Sequence, residues 1–273
     1  MKSVWHYIMV SAAACALLTA CGSDKDLKVA DKPVEVLYND AANAMQEGDN
    51  KKASQLFDEV ERQHPYSEWA TRAELMSAYA LYRNTDYEEA VGALDRFAEL
   101  HPGNKDIDYA LYLRSLCYYE QISDVARDQE ITQKALDSLN ALIQRFPDSK
   151  YSRDATLKRD LTLDHLAGKE MEIGRYYLNR KEVNAAINRF LAVVKTYQTT
   201  THVPEALHRL VESYLTLGLK NEATRIAAVL GYNYPGSKWY AETYKLLDDQ
   251  QRQKLIDKRS FVDRTVDSLF KPD

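Results

Sequence analysis

His202 and His208 are the two histidines closest together in this 273-residue chain, six residues apart across Pro204. A helical metal site needs two such ligands four apart on one face. His64, His101 and His165 are dispersed, so the sequence offers no metal-ligand pattern. Nucleotide chemistry fares no better: "AGKE" at Ala167 lacks the flanking glycines and the strand that a phosphate loop requires. Asp160, Asp164 and Glu170 fall where a solvated helix face would carry them, not as an acid/base pair. The expectation is a protein that is not an enzyme and needs no cofactor.

The cysteines are more informative. Lys2 precedes an apolar run from Val4 to Leu18, too short for a membrane span and shaped like a secretory signal. The run ends in Leu18-Thr19-Ala20-Cys21, which resembles the bacterial lipobox. In that motif the cysteine is acylated and becomes the mature N-terminus. Residues 1–20 then read as signal peptide and 21–33 as a lipidated tether. Gly22, in place of an aspartate that would retain the protein at the inner membrane, directs it to the outer membrane. With Cys15 removed and Cys21 acylated, Cys117 stands alone and no internal disulfide is possible. Its setting, "LYLRSLCYYE", suits a small buried hydrophobe.

What must position any binding surface is a repeated element. Ala53, Ala90, Ala135, Ala186 and Ala223 each open an Ala-x-x-x step to a larger or apolar residue. Twelve residues later stand Pro65, Pro102, Pro147, Gln198 and Pro235; twelve before, Ala41, Ala78 and Gly174 in three copies, Val211 in the fifth. This is the tetratricopeptide pattern of two antiparallel helices touching at small residues and closed by proline. Proline ends a helix because it lacks an N–H and disfavours helical geometry in the residue before it. Ser67, Asn104, Ser149 and Ser237 are placed to cap the next helix. The predicted fold is all-α, a right-handed superhelix of five such hairpins with a C-terminal capping helix. The hairpins cover approximately 34–67, 71–104, 107–149, 150–200 and 204–237, followed by a helical extension over 239–273. The alanines are 37, 45, 51 and 37 residues apart. The eight extra residues fit between the helices of the third copy, in "EQISDVARDQEITQ". The fourteen extra are about four turns, so 151–180 reads as one long helix. The amphipathic "SFVDRTVDSLFKPD" is open to docking on the body or a partner, or to staying solvated.

Nineteen tyrosines stand against six phenylalanines. Charged residues make up 28% with signs interspersed and a net charge of −5, which excludes a nucleic-acid footprint. Projecting the repeat onto the chain puts Tyr38, Arg72, Tyr79, Tyr82, Arg83, Tyr109, Tyr112 and Tyr119 on or near the face made by the first helices. Tyrosine joins apolar area to a polar tip, which suits a wet peptide groove. Tyr82 and Tyr109 fit the groove and the core equally well.

The lipobox, the tether, five repeats, and "NKDIDYALYLRSLCYYE", "RDQ" and "RFPDSKYSRDA" together resemble the BamD-type lipoprotein family of the β-barrel assembly machinery. The resemblance runs from Cys21 to about Trp239. It implies a protein on the periplasmic face of the outer membrane, anchored by lipid. Its N-terminal repeats would receive unfolded outer-membrane proteins, and its C-terminal repeats the periplasmic domains of the barrel-forming subunit. Other assembly lipoproteins are implied partners. In the matching "NR" pair of "AAINRFLAVV", the resemblance implies that Arg189 docks the barrel subunit; Glu205 and Arg209, on the next repeat, are further candidates for the same surface. Otherwise Arg189 is a solvated residue pairing with Glu182 or Asn179. A periplasmic tetratricopeptide adaptor of the Tol–Pal system is the competing reading, because its repeats also carry "YP-x-S".

The lipobox yields a first prediction. Acyl chains contribute about 0.8 kcal/mol per buried CH₂, so a three-chain anchor holds permanently. Cys21→Ser should leave the protein soluble or unprocessed, and membrane fractionation with mass spectrometry of the N-terminus reads the outcome.

Overall fold

The computed structural model describes residues 30–257; Cys21, the signal segment and the "SFVDRTVDSLFKPD" tail lie outside them. The described residues form twelve helices and no strand. The chain divides into two compact units, one up to Ala73 and one from Glu74 onward.

The first unit holds α1 (Val34–Gln46), α2 (Asn50–Gln63) and the start of α3 (Glu68–Arg83). Helix α2 shows why such segments fold. Ala53, Leu56, Phe57 and Val60 recur at helical spacing and are buried, while the Asp49 side chain accepts the Lys52 N–H at 3.1 Å. Leu37, Ala41 and Ala44 are the buried residues of α1, and α1 packs against α2.

In the second unit α3 continues, followed by α4 (Tyr87–Leu100), α5 (Ile107–Tyr119), α6 (Glu130–Arg145), α7 (Ser152–Asn179), α8 (Val183–Thr196), α9 (Val203–Thr216), α10 (Lys220–Asn233), α11 (Lys238–Leu246) and α12 (Asp249–Asp257). Helices pair as α5/α6, α7/α8 and α9/α10, and the second helix of each hairpin packs on the first of the next. Helix α7 is the long helix expected between 151 and 180, with 28 residues. The extra segment of the third hairpin is the loop 120–129.

One backbone geometry recurs at every joint between hairpins. His64, His101, Phe146, Tyr197 and Tyr234 end their helices at φ between −118° and −133° with ψ between 45° and 63°. Each still donates its N–H to the carbonyl four residues back, for example His64 to Val60 at 2.9 Å. At four of the five the following proline disfavours the helical ψ that would continue the helix. The chain then turns as Ser67, Asn104, Ser149, Thr200 and Ser237 donate their N–H to that same helix-ending residue, at 3.0 to 3.1 Å. The Ser67 and Ser237 hydroxyls cap the next helix, accepting from Ala70 N and Tyr240 N. Asn104 and Ser149 do not. Their helices begin three residues later, so their side chains instead accept from Asp106 N and Tyr151 N and tighten the turn. Around Gln198 the turn forms without proline.

Within hairpins the helices end differently. Gly48, Thr85, Lys181 and Gly218 have φ of 86°, 67°, 64° and 74°. In each case the next residue's N–H reaches back five residues, as Asp49 to Ala44 and Asp86 to Leu81 at 2.9 and 3.0 Å. These are Schellman closures. The extension after the last joint is two helices rather than one. Asp248 and Gln251 cap each other, Gln251 N on Asp248 Oδ1 at 2.9 Å and Asp248 N on Gln251 Oε1 at 3.1 Å. This capping box starts α12 afresh.

Gly174 explains why small residues recur. A Cβ there would lie 2.9 Å or less from three carbons of the fully buried Phe190 ring. Gly92, in α4, has nothing within 4 Å of its missing Cβ. Gly174→Ala should therefore cost about 1–3 kcal/mol through overpacking, whereas Gly92→Ala should stabilise by up to about 1 kcal/mol. Urea unfolding of both variants checks the sign difference.

Candidate functional site: a tyrosine face on the first helices

Tyr38 and Arg72 belong to the first unit. Tyr38 is half-buried, edge-on to Phe57 at 5.2 Å and tilted against Trp69 at 4.8 Å. Arg72 is exposed and lies over the Trp69 ring at 5.8 Å. Burial pushes the Tyr38 phenol above its ordinary value against the opposing pull of Arg72. Trp69 is the residue the repeat projection missed.

The other six lie in the second unit, on α3 and α5. Tyr79 stacks on Tyr82 at 6.5 Å and accepts from Arg83, whose guanidinium sits 5.9 Å above its ring. Tyr82 also tilts against Tyr87 at 5.9 Å. Tyr109 and Tyr112 both pack on Tyr151, at 5.3 and 4.9 Å, the second pair nearly parallel. The Tyr112 hydroxyl donates to Asp154 at 2.5 Å. Lys158 lies 4.9 Å above the Tyr119 ring and 3.4 Å from Asp154. Tyr82 and Tyr109 pack against the core cluster formed by Ala78, Leu94, Phe97 and Leu113 while remaining partly exposed. Core and face are thus two sides of the same rings. Tyr151, just before α7, and Asp154 and Lys158 within it complete the row, and no spacing rule connects them to α5.

Arg189 does not pair with Glu182 or Asn179, as the reading of it as a solvated residue expected, but with Glu170. Its Nη1 alone donates to both oxygens of Glu170 at 3.3 and 3.2 Å, a three-centre link reaching back across the hairpin to α7. Glu182 pairs with Arg180 instead. Glu170 is therefore no member of a merely solvated face. Neither is Asp164, which accepts from the Thr201 backbone and hydroxyl at 2.9 and 2.7 Å. Glu205 binds Arg175 at 2.9 Å, and Arg209 binds Glu212 at 2.7 Å with its guanidinium over Trp239. Glu170 and Arg175 are five residues apart, about 140° around α7 at 3.6 residues per turn. Arg189 and the Glu205–Arg209 pair thus meet α7 on different sides and form no single constellation.

The remaining groups have structural settings. Cys117 is fully buried and its thiol is pushed up to about 12 by burial. His64 bonds the Lys32 carbonyl at 2.8 Å, and His101 approaches Glu74 at 3.1 Å. His202 faces Asp164, whereas His208 is buried between Thr243 and Trp239. Among the described residues no group of three or more His, Cys, Asp or Glu is arranged to hold a metal, and no helix is long and apolar enough to cross a membrane.

These features define a repeat protein of the tetratricopeptide-like class, with an aromatic face on its first helices. The family model of the YfiO outer membrane lipoproteins matches residues 30–230. The outer membrane protein assembly factor BamD of Caulobacter vibrioides is 50% identical over 250 residues, covering 92% of this chain and 81% of that protein. BamD of Rickettsia prowazekii is 50% identical over 235 residues, covering 86% and 94%. BamD of Neisseria meningitidis serogroup A is 33% identical over 256 residues, covering 90% and 96%. The chain belongs to this family of outer membrane lipoproteins.

Burial raises the phenols of Tyr109 and Tyr112 well above their ordinary value; at Tyr112 the Asp154 carboxylate adds to it. The folded state thus holds protons that the unfolded state releases from about pH 10. Their contribution to stability is complete below about pH 10 and is lost as pH rises beyond it. Tyr109→Phe should flatten the alkaline fall in stability, measured by urea unfolding across that range.

Proposed function

We propose that this chain is a lipid-anchored assembly factor of the outer membrane, held at the periplasmic face through Cys21. Its tyrosine face binds extended segments of unfolded outer-membrane proteins, and its last hairpins engage the periplasmic domains of the barrel-forming subunit. The observation that carries this reading is the 50% identity, across 92% of the chain, to a protein named as an outer membrane protein assembly factor. The same likeness favours assembly over the Tol–Pal adaptor reading. Other assembly lipoproteins are its natural neighbours on that membrane face.

The tyrosine row supplies the chemistry a peptide receptor needs. Half-buried rings give apolar area at low entropic cost, and their hydroxyls and the nearby Asp154, Lys158 and Arg83 bond a polar backbone. Arg189, held to Glu170 through Nη1 and 43% exposed, has its other guanidinium N–H groups to offer a carboxylate on the partner. Keeping the Glu170 contact while it does so leaves neither charge unpaired on docking.

Two substitutions separate the surfaces. Tyr112→Ala should weaken binding of peptides with aromatic C-termini by about 1 kcal/mol or more and leave co-purification of the barrel subunit intact. Arg189→Glu should do the reverse, with restoration by an acidic-to-basic change in the partner. If Arg189→Glu retains the partner at moderate salt, docking lies elsewhere.

A further inference from the structure

Asp154, Lys158, Leu161, His165, Glu172 and Arg175 succeed one another on α7 at intervals of three, four or seven residues, so they form one stripe along the helix. At its start the stripe belongs to the tyrosine row, through Tyr112 to Asp154 and Lys158 to Tyr119. Further along it becomes the wall of a cleft of about 490 Å³, closed on the other side by loop residues Asp124, Val125 and Ala126. At its end Arg175 is held by Glu205 of α9.

The cleft is preformed. The Gln129 amide donates to the Arg127 carbonyl at 2.9 Å while its oxygen accepts from Thr132 at 2.9 Å and lies 3.1 Å from His165 Nδ1. Lys169 Nζ donates to the Ala126 carbonyl at 2.8 Å, strapping the loop to α7. Gly168 lies on the floor, where a Cβ would stand 3.3 Å from His202 Nε2. The wall includes a leucine, Leu161, that is 60% exposed. By formal charge the lining is acidic, with Asp124, Asp164 and Glu172 against Arg175. Lys169, 3.9 Å from Glu172, is drawn onto the loop carbonyl by the strap.

We propose that this cleft is a second peptide subsite, continuous with the tyrosine face. It takes an apolar side chain flanked by a lysine or arginine from the same extended segment whose aromatic residue rests on Tyr112 and Tyr151. The inference rests on the peptide-binding reading above and adds a length and a charge rule to it. From Asp154 to Arg175 the helix rises about 32 Å, which an extended strand spans in about nine residues. The occupant is thus a nine-residue segment, aromatic at one end and apolar-basic toward the other. The acidic rim discriminates against an acidic flank.

The test uses the full-length lipidated chain in detergent and labelled synthetic peptides. One nonapeptide has an aromatic end and a Leu-Arg pair toward the other; a second keeps only the aromatic half; a third carries Leu-Glu in place of Leu-Arg. The first should bind at least tenfold more tightly than the other two by fluorescence anisotropy. Leu161→Arg and Glu172→Lys, both at exposed positions, should each remove most of that gain without altering affinity for the short peptide or the circular dichroism spectrum. No gain in the wild-type chain, an equal gain with Leu-Glu, or a gain that survives both variants overturns the proposal. Tyr112→Ala reads the tyrosine face separately. If it changes neither peptide's affinity, the aromatic reading falls, and the cleft stands or falls on the Leu-Arg gain alone.

Discussion

A proline disfavours helical geometry in the residue before it, and four of the five helix ends at the joints of this chain stand before one. At His64, His101, Phe146 and Tyr234 the proline ring would collide with the preceding backbone in helical space, so ψ swings to between 51° and 63°. The swing is large enough to reverse the chain and small enough to keep the last helical hydrogen bond. Tyr197 adopts ψ of 45° with Gln198 after it, so once neighbouring hairpins are packed the turn no longer needs its proline. Packing and local sterics point to the same backbone, which is the agreement between levels that makes a repeat fold reliably.

The joints fix where each first helix begins, and the lengthening of α7 exploits that. Fourteen added residues are close to a whole number of helical turns. The face that meets α8 through Gly174 and Phe190 is therefore carried forward without rotation, while the N-terminal half of the helix runs on past the hairpin. That half supplies Asp154 and Lys158 to the tyrosines of α5. It also supplies Asp164, which fastens Thr201 at the following joint. One insertion thus ties the third, fourth and fifth hairpins along a single helix, with Arg175 and Glu205 closing the far end.

Periodicity made the joints, the small contact residues and the long helix legible, because each is a local backbone or volume requirement written at fixed offsets. The Schellman turns at Thr85 and Lys181 were not legible. Positive φ is the province of glycine, and here a β-branched residue and a lysine adopt it because the flanking helices already determine the geometry. Gly48 and Gly218, in the equivalent turns, were there to be noticed. The aromatic row was half legible. Tyr79 and Tyr82 share one helix and Tyr109 and Tyr112 the next first helix, but Tyr151 comes from another hairpin. The bond from Arg189 to Glu170 was invisible for the same reason: nineteen residues separate partners that only the α7/α8 packing brings together.

The distribution of aromatic types follows from which side of each ring must remain wet. Phe57, Phe97 and Phe190 are all but fully enclosed, and all three sit on second helices, at α2, α4 and α8. Tyr38, Tyr79, Tyr82, Tyr109, Tyr112 and Tyr119 sit on first helices and are only partly buried. A phenylalanine inside a hairpin has no polar atom to satisfy, so enclosure is favourable for the whole ring. A ring at the outer edge of a first helix is enclosed on one side only. There a hydroxyl at the tip avoids exposing a purely apolar patch while leaving the inner edge free to pack. Where such a hydroxyl comes close to being buried it must find a partner. Tyr112 does so in Asp154, a residue on another hairpin. The excess of tyrosine over phenylalanine is thus the composition expected when a repeat protein keeps one set of helices sealed and the other set half open.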